Sequence, residues 1–128
     1  MYKSAVSAYQ AVDKNTISGR ETEARVLTEA ALKLVRVQEK WNTEERDQLL
    51  DEALRYNQRL WSLFQSELLQ EDNPLPKKLR VDILRLSLFI DKRIFEVMAY
   101  PSPEKLKIII KINQNLAAGL RDSAGSGF

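Results

Sequence analysis

Apolar residues recur along this chain at intervals of three and four, and short polar or proline-bearing joints separate the regular stretches. Leu27, Ala30, Ala31, Leu34, Val37, Gln38 and Trp41 trace one face of a helix that ends near Lys40. Ser18-Gly19-Arg20-Glu21 reads as its capping box: the Ser18 hydroxyl accepts the Glu21 amide proton while the Glu21 carboxylate reaches back. Asn42 or Thr43 is placed to cap a second long helix. Glu44, Glu45 and Asp47 sit in its first turn, where the helix dipole favours negative charge. Along that helix Leu50, Leu54, Asn57, Trp61, Phe64 and Leu68 step alternately by four and three. This is a coiled-coil-like seam with one polar member, Asn57.

Pro74-Leu75-Pro76 forbids continuation of the second helix. A third runs from about Lys77 to Ala99 and carries two apolar stripes. Leu79, Ile83, Leu86, Ile90, Ile94 and Val97 form one; Val81, Leu84, Leu88, Phe95 and Met98 form the other. A helix apolar on two sides is expected to be central, packed against several neighbours. Ser102 as N-cap and Pro103 at the first helical position start a last helix, which carries Leu106, Ile109, Ile110, Ile112, Leu116 and Leu120. Gly119 is placed to end it. Ala5, Val6, Ala8, Tyr9 and Val12 mark a short amphipathic helix near the N-terminus. The expected fold is all-α, a compact helical bundle of four longer helices plus a short N-terminal one. It would form one domain over residues 1–121, followed by a flexible tail at 122–128.

Composition narrows the chemistry. The 128 residues include neither cysteine nor histidine. That removes disulfides, thiolate nucleophiles, Ser–His pairs and the usual zinc, iron–sulfur and di-iron ligand sets. The carboxylate pairs Glu44/Glu45, Asp51/Glu52 and Glu71/Asp72 are adjacent in sequence, so their side chains diverge by about 100° around a helix. The expectation is a protein that is not an enzyme and takes no cofactor or metal. The N-terminus lacks an apolar run of signal-peptide length, and no apolar stretch approaches the roughly 20 residues of a membrane span. A cytoplasmic protein without membrane contact is expected.

Charge is polarised along the chain. Residues 39–72 carry a net −5 and residues 77–111 a net +5. Acidic and basic helices packed side by side account for this. A basic face on Lys77, Lys78, Arg80, Lys105, Lys107 and Lys111 could in principle meet RNA, but aromatics do not interleave with these bases, which argues against direct RNA binding.

The polar breaks in the apolar seams nominate a partner-binding set. Asn57 either makes a buried hydrogen bond that fixes helix register or faces a groove beside Arg59 and Trp61. Asp91 interrupts the second stripe of the third helix and is expected to pair with Arg55 or Arg59, or else to meet a bound peptide. The candidates are Tyr56, Asn57, Arg59 and Trp61 on one helix, with Asp91, Arg93 and Phe95 on the next.

Several segments are familiar in combination. DEALRYNQRLWSLFQSEL (Asp51–Leu68), NPLP (Asn73–Pro76) and FIDKRIFEVMAYPSPEKL (Phe89–Leu106) resemble the FlaF family of flagellar biosynthesis regulators of alphaproteobacteria. AYQAV (Ala8–Val12) and SGRETEARVLTEAALKL (Ser18–Leu34) resemble the opening of the same family, so the likeness covers roughly residues 2–120. It implies a small cytoplasmic protein needed for flagellin production and filament assembly. Its partners would be flagellin, bound for type III export, and an FlbT-type regulator of flagellin messenger RNA. The terminal segments of flagellin are helical and apolar on one face, which suits docking of a helix in a groove. The resemblance brings no residue-level contacts with flagellin.

Overall fold

The structure is a computed structural model that describes residues 18–125; the expected short helix within residues 3–12 lies outside them. Four helices follow in order: α1 (Ser18–Glu39), α2 (Arg46–Leu68), α3 (Lys77–Ala99) and α4 (Leu106–Gly125), the last preceded by a single 3₁₀ turn at Pro103–Lys105. No strand occurs among the described residues. No described helix is long and apolar enough to cross a membrane.

The α1 stripe is fully used. Ala24, Leu27, Ala30, Leu34 and Val37 are each entirely buried, and the small Ala positions let α4 and α2 approach closely. Helix α1 packs chiefly on α4 and next on α2. The packing is antiparallel: Arg121 near the end of α4 donates to the Glu21 carboxylate at 3.3 Å, and Gln38 at the end of α1 donates to the Pro103 carbonyl at 3.1 Å.

Helix α3 is not central. It packs mainly on α2 and barely touches α4. Its first stripe supplies the buried Ile83, Ile90, Ile94 and Val97, whereas the second is left largely at the surface. Asp91 within that second stripe explains the choice, because burying the whole row would desolvate a carboxylate.

Three local expectations are corrected. The Glu21 carboxylate pairs with Arg121. Helix α2 begins at Arg46 after Glu45, with no side-chain cap, and the Thr43 hydroxyl donates to the Lys40 carbonyl at 2.7 Å. Helix α4 runs through Gly119 to Gly125. Gly119 lies on an open side, while Arg121 also donates to the Thr28 hydroxyl at 3.2 Å and ties the next turn to α1.

Candidate partner-binding surface

Seven residues were expected to share a binding face, and the fold distributes them. Asn57 and Trp61 are fully buried. Trp61 Nε1 donates to Asn113 Oδ1 at 2.9 Å, Asn113 Nδ2 donates to Asn57 Oδ1 at 2.6 Å, and Asn57 Nδ2 donates to the carbonyls of Ala30 (3.2 Å) and Ala53 (2.9 Å). This chain of bonds joins α1, α2 and α4 and pairs every one of its side-chain amide and indole groups, the condition under which buried polarity is tolerated. Asn57 and Trp61 therefore set helix register and present nothing to a partner. Tyr56 is half-buried against the core, with the Lys33 ammonium 5.0 Å from its ring centre. Arg59 is exposed on the outer side of α2.

The other three candidates share α3. Asp91 accepts from Gln65 Nε2 of α2 at 2.8 Å, in place of the expected pairing with Arg55 or Arg59; Arg55 is held by Asp51 at 2.9 Å. Arg93 donates to Glu96 at 3.0 Å and stacks 5.4 Å from the Phe89 ring. Phe95 stands 72% exposed. Arg93 and Phe95 meet in one open groove of about 470 Å3, completed by Glu96, Ala99, Tyr100 and Lys105.

Sequence reasoning assigned the rest of this surface to the core. Val81, Leu84, Leu88, Asp91, Phe95 and Met98 step by three and four alternately, so they form one row along α3. Leu88 is 65% exposed, Met98 46% and the adjoining Tyr100 77%. The spacing was visible; what the sequence lacks is any sign that no neighbouring helix among the described residues covers the row. Bases border it: α3 carries six Lys and Arg against three Asp and Glu, and Lys77, Lys78, Arg85 and Lys92 are exposed. The surface is thus an apolar ridge with a basic rim, fit to receive an amphipathic helix.

A second feature lies at the end of the bundle where α1 begins, α2 ends, α3 begins and α4 ends. Phe64, Leu68, Leu75, Ile83, Leu116 and Leu120 line a pocket of about 60 Å3 into which Glu23 and Glu67 also project. Neither carboxylate makes a hydrogen bond or ion pair among the described residues. Burial pushes Glu23 up to about 7, with the neighbouring Glu67 adding to the rise and Arg20 opposing it. Burial likewise raises Glu67. No group of three or more potential metal ligands occurs among the described residues.

A family model described as "Flagellar protein FlaF" matches residues 5–120, nearly the whole chain. No curated protein and no solved structure matches it.

Proposed function

Because the chain belongs to the FlaF family of flagellar proteins, we propose that it binds unassembled flagellin as an export chaperone and thereby promotes flagellin synthesis and secretion. One observation carries this reading: the exposed, heptad-spaced Leu88, Phe95 and Met98 of α3, with the half-buried Val81 and Leu84 continuing their row. A ridge built from Val81, Leu84, Leu88, Phe95 and Met98 matches the apolar face of one amphipathic helix over about five turns. Burying a large apolar side chain is worth roughly 1.5–3 kcal/mol, so Leu88, Phe95 and Met98 together supply several kcal/mol against the cost of association. Asp91 and Arg93 would then contact polar groups of the docked helix, and the basic rim would select one with acidic flanks. While docked, the flagellin segment could not polymerise, and the complex would deliver it to the type III apparatus.

The alternative is post-transcriptional control, exerted with an FlbT-type partner or on flagellin messenger RNA. Three of the six bases that direct RNA contact would use have partners within the chain. Arg80 is spent on the Gln70 carbonyl, Lys105 on the Tyr100 carbonyl and Lys107 on Glu104. Co-purification decides between them. Wild-type protein should retain flagellin, Leu88→Asp/Phe95→Asp should not, and salt-sensitive retention of leader RNA in the absence of flagellin would favour the alternative.

A further inference from the structure

Three of the bases on α3 form a row of their own. Lys78, Arg85 and Lys92 are spaced seven residues apart, so each lies two turns from the next and the row runs about 21 Å along the helix. It follows the apolar row closely. Lys78 precedes Val81 by three positions, Arg85 follows Val81 by four and precedes Leu88 by three, and Lys92 follows Leu88 by four and precedes Phe95 by three. Residues three and four apart are neighbours on a helix surface, so the two rows adjoin along their length. All three bases are exposed, and none makes a hydrogen bond or ion pair among the described residues. Nearby acids leave them free: Asp82, four residues from Lys78 and three from Arg85, pairs with neither, and Glu96 holds Arg93. By contrast Arg80 and Lys105 are engaged by the carbonyls of Gln70 and Tyr100. The other flank of the apolar row faces α2 and is built differently. There Gln65 of α2 holds Asp91, and Gln58, two turns earlier on the same side of α2, is uncharged.

We propose that Lys78, Arg85 and Lys92 are the specificity determinants of the α3 ridge, and that its occupant is an amphipathic helix bearing Asp or Glu every seventh residue along one flank of its apolar face. The proposal rests on the reading of the ridge as a docking face and names the chemistry which that face selects, whether or not the helix belongs to flagellin. A second copy of this chain does not meet the requirement. Antiparallel pairing of two ridges about a two-fold axis at Arg85 sets Arg85 against Arg85 and Lys78 against Lys92, and like charges held opposite one another repel. An acid-flanked helix makes the same contacts with favourable sign, at the edge of a dry apolar seam, where flanking charges set partner choice between paired helices.

The test is fluorescence anisotropy of the full-length protein with three labelled amphipathic peptides that share one row of leucines. The first carries Glu at every seventh position beside the leucines. The second carries the same Glu residues on the side opposite them, and the third has Lys in place of each Glu of the first. The wild type should bind the first at least tenfold more tightly than the second or the third. Arg85→Glu/Lys92→Glu, at exposed positions without partners, should melt as the wild type does and reverse the order in favour of the third peptide. Leu88→Asp/Phe95→Asp should bind none of them. Equal binding of the first and second peptides, an order that survives the charge reversal, or failure of the wild type to bind any peptide would overturn the proposal. A wild type that discriminates among the peptides as expected and yet does not bind flagellin would support the role of the basic row and contradict the flagellin reading alone.

Discussion

Asn113 donates its side-chain amide to the Asn57 carbonyl oxygen at 2.6 Å, deep in the bundle and across 56 residues of sequence. The bond fixes the register of α4 against α2. The indole of Trp61, edge-on to Phe64 with ring centres 5.5 Å apart, donates to the same Asn113 and locks the arrangement.

Breaking that bond from one side should be expensive. Asn57→Ala strands the Asn113 amide and leaves a void, and is expected to cost about 2–4 kcal/mol by denaturant unfolding. Asn113→Ala should cost a similar amount. The double variant should cost less than the two singles combined, with a coupling of roughly 1 kcal/mol or more in the double-mutant cycle.

The two rows of α3 should respond oppositely. Ile90 is fully buried, so Ile90→Ala is expected to destabilise by about 2–4 kcal/mol. Leu88→Asp and Phe95→Asp alter exposed positions and should change stability by no more than about 0.5 kcal/mol. Parallel thermal or urea unfolding of the three variants checks this.

Gly119 occupies an exposed helical position, and an added Cβ would meet nothing within 4 Å. Gly119→Ala should therefore stabilise the protein by about 0.5–1 kcal/mol, measured as a rise in the urea midpoint at unchanged slope.

The pocket carboxylates predict a pH dependence of stability. The folded state holds a proton on Glu23 up to about 7, whereas an unfolded carboxyl releases it near 4.5. Between those values the folded state binds more protons, so its stability falls as pH rises. In urea unfolding across pH the decline should start near pH 4.5, be complete above about 7 and amount to at most on the order of 3 kcal/mol. Glu23→Gln should flatten most of it.

Much of this architecture was legible in the sequence because local periodicity and core burial agree. The seam Leu50, Leu54, Asn57, Trp61, Leu68 is buried as its spacing implies, and Pro74 and Pro76 part α2 from α3. Local signals failed where a distant residue competed for a side chain. Glu21 was drawn from its own helix start to Arg121, a hundred positions away. The candidate surface was legible only in part. Asn57 and Trp61 stood out because polar and aromatic residues in a seam can serve either packing or recognition, and Asn113, the partner that settles the matter, lies on another helix. Apart from Asp91 and Phe95, the α3 ridge was visible as a pattern yet assigned to packing, since a sequence shows which rows are apolar and not which rows have a neighbour.

The proposed function turns on that ridge, and calorimetric titration of flagellin into the purified protein tests it most directly. The wild type should bind, and Leu88→Asp/Phe95→Asp should bind at least tenfold more weakly while melting at the wild-type temperature. Arg59→Ala, on the outer face of α2, should bind as the wild type does. Undiminished binding by the double variant, or no binding by the wild type, would contradict the account.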